Sequence, residues 1–162
     1  MESTFPKKHT FDIKMYLWPL AAFILLFCSF TVSWETDFEM AKQQAKDTDR
    51  YLLLNFSGSD WCGPCRRFKQ DFLDSEVFKQ YADSNLVLVN ADFPRQKKNQ
   101  LPKALQQQND KLAEKYNPEG SFPATLLLDA SGKVLKKWIG VPKGSVDDFV
   151  NEIDQVAHVR AD

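Results

Sequence analysis

Asp60-Trp61-Cys62-Gly63-Pro64-Cys65 is the stretch around which the rest of the chain is read. Two thiols two residues apart can close a small disulfide ring that opens and closes reversibly. Before it, Tyr51 to Phe56 is a nearly continuous apolar run, ended by Ser57, Gly58 and Ser59; after it, Arg66 to Leu73 has helical character. A strand therefore delivers Cys62 to the start of a helix. Unpaired backbone N–H groups and the helix dipole there favour an exposed thiolate, lowering the pKa of the first cysteine toward neutrality. Gly63 shapes the turn, and Pro64 suits the first helical turn, where its missing N–H is no loss.

On these residues the chain resembles the thioredoxin superfamily, whose Trp-Cys-Gly-Pro-Cys signature is read at positions 61 to 65. The likeness continues through Gly120-Ser121-Phe122-Pro123-Ala124-Thr125, similar to the family's cis-proline loop, and through Gly140 after the strand Val134 to Ile139. It covers roughly Trp34 to the C-terminus. The wording Phe56-Ser57-Gly58-Ser59-Asp60 is most similar to exported bacterial thioredoxin-like and disulfide-interchange proteins. The resemblance implies a thioredoxin-like α/β/α sandwich with a mixed central sheet and thiol-disulfide exchange as the activity. Pro123, if cis, would set the backbone of Phe122 to pair with an extended substrate, and Trp61 would shield the rim of the site.

Asn55 departs from the family pattern. Thioredoxins carry a buried Asp at that strand position, able to relay a proton to the deeper thiol, whereas Asn cannot ionise. An extra residue before the motif supplies Asp60 nearby. Two readings stay open: Asp60 or a water takes over that relay, or Asp60 is simply a turn residue.

Composition agrees with one domain. The 162 residues are 43% hydrophobic with 13 Phe and four Trp, enough for one core. Net charge is −1, so no overall field points to nucleic acid or an anionic membrane surface. Cys28, Cys62 and Cys65 are the only cysteines. A disulfide-scaffolded small domain would need several bridges, so the Cys62–Cys65 pair is free for chemistry. A zinc site needs four ligands, and one Cys pair with His9 and His158 far away in sequence does not supply them. No metal and no cofactor beyond the redox-active disulfide are expected. A static disulfide would leave the surrounding Trp, Gly and Pro unmotivated, while a redox-inert binding module on the same scaffold stays open as a rival reading. A peroxidase would need a differently activated cysteine.

Lys7, Lys8 and Lys14 precede Met15 to Ser33, a run of 19 uncharged residues. This reads as the basic and apolar regions of a signal peptide over residues 1–33, with small residues before Trp34 for cleavage. An uncleaved anchor of the same length would also span hydrocarbon, with the lysines inside. Lipidation at Cys28 is a weaker reading, because bulky Phe27 precedes it. Each exports the domain of residues 34–162 to the periplasm or the outer face of the membrane. The partners implied are disulfide-bearing protein substrates and an upstream membrane electron donor, with the domain a monomer and membrane contact only through residues 15–33.

Elsewhere the pattern alternates. Trp34 to Asp49 reads as an amphipathic helix, Asn85 to Ala91 as a second buried strand, and Asp74 or Ser75 as the cap of a short helix between strands. Asp92 to Asn109, broken by Pro94 and Pro102 and carrying Arg95, Lys97, Lys98 and Lys103, reads as a solvated loop opening a helix, or as a partner-docking insert beside the active site. That helix runs through Tyr116 to Asn117-Pro118. Thr125 to Asp129 and Val134 to Ile139 form a hairpin, and Ser145 with Asp148 opens a last helix. Strands alternating with helices require crossovers, which yields an α/β sandwich from pattern alone.

Overall fold

The structure is a computed structural model describing Met1 and residues 33–158. The expectations for residues 1–33, Cys28 included, lie outside the described residues apart from Met1 and Ser33. Among the described residues, no helix is long and apolar enough to cross a membrane.

In chain order the elements are β1 (Trp34–Glu35), α1 (Phe38–Asp47), β2 (Tyr51–Ser57), α2 (Gly63–Phe68), α3 (Glu76–Asn85), β3 (Leu86–Asp92), α4 (Lys103–Tyr116), β4 (Ala124–Leu128), β5 (Val134–Ile139) and α5 (Val146–His158). The five strands lie in the order β1-β3-β2-β4-β5. β1, β2 and β3 pair in parallel, while β4 and β5 add antiparallel strands, so the sheet is mixed.

β2 is central and buried along Leu52 to Phe56, because helices cover both faces. Side chains alternate across it. Leu52, Leu54 and Phe56 join Val87, Val89, Leu126 and Leu128 under α1 and α4. Leu53, with Leu88 and Leu127, packs under α2, α3 and α5. On that second face Phe149 of α5 meets Phe68, Phe72, Phe78 and Trp138, with ring centroids 5.2 to 6.1 Å apart.

Three local expectations are corrected. Residues 34–49 are not one helix: Trp34 and Glu35 form a fifth strand beside β3, and α1 starts only after Asp37, whose carboxylate accepts the Met40 N–H at 2.9 Å. Two residues are too few for a periodicity to reveal. The helix after the cysteines changes to a π turn over Lys69–Leu73 before it stops. The second buried strand starts at Leu86 rather than Asn85, since α3 runs through Asn85. Ser75, not Asp74, caps α3 by accepting the Phe78 N–H at 3.2 Å. At α5 the reciprocal Ser145–Asp148 bonds form as the sequence suggests.

Candidate active site

β2 ends at Ser57, and a tight loop carries the chain to Cys62, the residue immediately before α2. The loop closes by Cys62 N–H donating to Gly58 O at 2.8 Å. Gly58 has a steric reason: a Cβ there would overlap the indole of Trp61, which lies against the backbone. Gly63 and Pro64 open α2, where Pro64 gives up no helical hydrogen bond.

Cys62 and Cys65 are joined as a disulfide, with Cα atoms 5.3 Å apart. Cys62 caps α2 through its sulfur, which accepts the Cys65 N–H at 3.1 Å. The same donor would face a Cys62 thiolate once the bond is reduced, and the helix dipole adds to it. A helix start suggests an openly exposed first sulfur; each cysteine residue is instead only 4% exposed in the disulfide state. Two hydrogen-bond networks flank them.

The first lies toward the sheet. Asn55, 6% exposed, donates Nδ2 to Asn90 Oδ1 at 2.9 Å and accepts the Thr125 hydroxyl at 3.1 Å. Strand register aligns these three residues across β3, β2 and β4, on the face covered by α2. Asn55, Asn90 and Cys65 line one cavity of about 320 Å³, with Arg66 and Lys69 also on its walls. Sequence reading singles out Asn55 but misses Asn90 and Thr125. A second asparagine breaking a second apolar strand is the available signal.

The second network lies toward the segment after β3. Asp60 turns away from that cavity, which it does not line, and accepts from Arg95 N–H at 3.0 Å, Gln96 N–H at 2.9 Å and Asn99 Nδ2 at 3.0 Å. The Arg95 backbone bond first, then the Asn99 amide, hold its carboxyl below the usual carboxylate range. This geometry gives Asp60 the work of a strap on residues 95–99. Ser59 fastens the same segment by donating its N–H and hydroxyl to Asp92, at 2.8 and 2.6 Å.

Trp61 is pinned by three contacts. Its Nε1 donates to Phe93 O at 2.7 Å, its ring meets Phe122 edge-on at 5.3 Å, and the Arg95 guanidinium lies 3.7 Å from its centroid. Sequence reading assigns Trp61 to the rim and names Arg95 only within an insert beside the active site; it misses Phe93, whose approach depends on the fold. The Phe122–Pro123 peptide is cis, and Pro123 O accepts the Gly140 N–H at 2.8 Å. Among the described residues, no cluster of His, Cys, Asp and Glu could hold a metal ion.

Residues 33–130 match the family described as thioredoxin-like. The chain is 33% identical to "Disulfide bond reductase DsbH" of Chlamydia pneumoniae over 129 residues, 80% of this chain and 75% of that protein. It is 28% identical to "Thiol-disulfide oxidoreductase ResA" of Bacillus cereus, over 65% of this chain and 64% of that one. A solved structure described as "DsbH Oxidoreductase" superposes with a TM-score of 0.72 at 30% identity, covering 80% of this chain and 87% of that chain. With a strand delivering a Cys-Gly-Pro-Cys disulfide to a helix start beside a cis proline, and with these relatives, the chain belongs to the thioredoxin-like family as a thiol-disulfide oxidoreductase.

Proposed function

We propose that this protein reduces protein disulfides in the cell envelope. The observation carrying this reading is the sulfur of Cys62 at the start of α2, accepting the Cys65 N–H at 3.1 Å. In the reduced protein the Cys62 thiolate attacks one sulfur of a substrate disulfide, forming a mixed disulfide and releasing the first substrate thiolate. Cys65, deprotonated, then attacks Cys62 Sγ, releasing the second thiolate and closing the Cys62–Cys65 bond. Two electrons pass to the substrate, and its two sulfurs take up two protons. The disulfide itself carries the electrons, so the reaction calls for no bound cofactor.

The reducing direction rests on charge. A site that strongly stabilises its thiolate favours the reduced protein and acts as an oxidant. Between these cysteines stand Gly63 and Pro64, with no cation, and Arg66 and Arg67 are exposed to screening solvent. Modest thiolate stabilisation therefore goes with a reductant. Phe122 and cis Pro123 offer backbone to an extended substrate, and Asn55 with Asn90 lends a polar route for the Cys65 proton. An oxidising envelope demands a membrane electron donor to restore the dithiol. The domain works as a monomer, held at the membrane only if residues 15–33 stay uncleaved.

Purified reduced protein should reduce a generic protein disulfide under a dithiol supply, and Cys62→Ser should abolish this. Folded, fully reduced protein without activity would defeat the reading. A reporter fused after Asp162 should be active only outside the cytoplasm, and cytoplasmic activity would refute export.

A further inference from the structure

Cys65 is the sulfur that must ionise in the second half of the exchange, and it lies on the wall of the cavity of about 320 Å³ that it shares with Asn55 and Asn90. The direction of the hydrogen bonds along the sheet decides what that wall offers. Thr125 Oγ1 donates to Asn55 Oδ1 at 3.1 Å, and Asn55 Nδ2 donates to Asn90 Oδ1 at 2.9 Å. Both amide oxygens are thereby engaged by their strand neighbours. The Asn90 nitrogen, at the end of the row, has no acceptor among the described residues. An amide nitrogen carries two hydrogens, so one on Asn55 and both on Asn90 stay unspent.

The charged groups around the cavity act in the same sense. Arg66 and Lys69 stand on its helical side, while β1, β2 and β3 contribute Trp34, Asn55, Ser57 and Asn90, none of which ionises. Among the described residues no Asp or Glu lines it. Two acids stand one bond away from the lining, Asp74 paired with Lys69 and Asp92 accepting from Ser59. Trp34 and Leu73 add apolar wall, and in such surroundings a dipole acts more strongly on a charge than in water. A carboxylate in the row would take the Cys65 proton. Amide N–H groups instead favour the anion that the proton leaves behind.

We propose that the amide edges of Asn90 and Asn55 stabilise Cys65 as a thiolate while Cys62 is bound to the substrate. The assignment rests on thiol-disulfide exchange at Cys62 and Cys65 and not on its net direction. In the mixed disulfide Cys65 gives its proton to water, which the cavity has room to admit and which carries it to solvent. The thiolate attacks Cys62 Sγ and forms the Cys62–Cys65 bond. The bond from Cys62 to the substrate breaks, its electron pair leaves on the substrate sulfur, and that sulfur takes up a proton. In the free dithiol the Cys62 thiolate repels a second negative charge beside it, so Cys65 stays protonated there. The stabilisation therefore acts in the intermediate alone, and a reducing potential is compatible with a resolving sulfur that ionises readily.

The first measurement is the ionisation of Cys65 in the full protein carrying Cys62→Ala, whose neutral side chain stands for the substrate-capped sulfur. Thiolate absorbance and alkylation rate are followed against pH. Burial alone pushes a thiol above the ordinary value of about 8.5, and the amide donors should hold Cys65 at or below it. Adding Asn90→Ala removes the donors without adding charge and leaves space for water to accept from Asn55. Adding Asn90→Asp keeps the acceptor for Asn55 and exchanges the free N–H groups for a second oxygen. Each should raise the midpoint by about one pH unit, a tenfold loss of thiolate well below it.

The second measurement follows decay of the mixed disulfide, by acid quench and mass, during a single turnover of a peptide disulfide by protein with both cysteines. A midpoint raised by about one pH unit removes about nine-tenths of the thiolate at about pH 7 and makes the remainder about threefold more nucleophilic. Resolution in either Asn90 variant should then run about threefold slower than in the parent. At about pH 10, where Cys65 is ionised in all three proteins, the variants should overtake the parent. A merely structural part for Asn90 gives no such crossing. Equal midpoints in parent and variants would overturn the assignment, as would a rise confined to Asn90→Asp, which would trace the effect to the introduced charge. Slower resolution at every pH with an unchanged midpoint would also overturn it, leaving the row as a proton route. The raised midpoint together with the crossing supports it even in a protein whose potential proves oxidising, so this assignment and the reductase reading fail separately.

Discussion

Asp60 shows how one charge can organise the segment beside a site. Its three donors all belong to residues 95–99, so the carboxylate acts as the anchor of that segment. Because its folded pKa lies below the ordinary value, the stabilisation it lends is complete above the unfolded value and disappears as pH falls through the lowered one. The amide resonances of Arg95 and Gln96 should therefore titrate with a midpoint below 3.8, the ordinary value. A midpoint at or above it would show that the strap is not held by charge. At neutral pH, Asp60→Ala should speed tryptic cleavage after Arg95, Lys97 and Lys98 severalfold, and unchanged cleavage would assign the anchoring elsewhere. Gly58 is a second single-residue control. A Cβ on it meets the rigid Trp61 ring, itself fixed by Phe93 and Phe122, so Gly58→Ala should cost about 1–3 kcal/mol in denaturant unfolding and alter the near-ultraviolet signal of the indole. A variant as stable as its parent would mean the ring has another place to go.

Across the strands, the row Asn90, Asn55 and Thr125 is a polar seam in an otherwise apolar sheet face. An uncharged amide at position 55 needs only hydrogen bonds, which its neighbours supply. Asn55→Asp would place a carboxyl there, and burial would raise its pKa. A group raised in the folded state costs nothing while protonated in both states, and its penalty grows as pH rises above the unfolded value, about 3.9. The variant should therefore nearly match the parent at about pH 4 and lose roughly 1–3 kcal/mol by about pH 8, measured by urea unfolding at each pH. A constant gap at both values would show that a carboxylate is tolerated beside Cys65. The elements differ in how far sequence reveals them. β2, β3 and β4 are legible because burial on both faces leaves nearly unbroken apolar runs. α5 is legible from its capping pair and its apolar stripe. β1 is two residues long and exists through its neighbour β3, and the π turn at Lys69–Leu73 interrupts a helix whose apolar residues keep their spacing. No local pattern encodes either.

For the molecule as a whole, the thioredoxin-like sandwich follows from the order of its elements, and the disulfide from one short motif. What the linear pattern conceals is the second network, because Asp60 meets residues 95–99, some 35 to 39 positions away, only after β2 and β3 pair. That pairing brings a basic, proline-broken segment against the active-site tryptophan, so of its two readings, a solvated loop and an insert beside the active site, the structure shows a segment that forms part of the site's wall. The central claim, that the molecule donates electrons to protein disulfides, is a statement about the free-energy gap between its dithiol and disulfide forms. Each 30 mV of potential corresponds to about 1.4 kcal/mol in that two-electron gap. The deciding measurement is equilibration of the purified protein with a graded dithiothreitol or glutathione couple, with the Cys62–Cys65 state read by alkylation. A midpoint near thioredoxin's, about −270 mV, is the expected result, whereas one above about −150 mV would make the protein an oxidant and contradict the account.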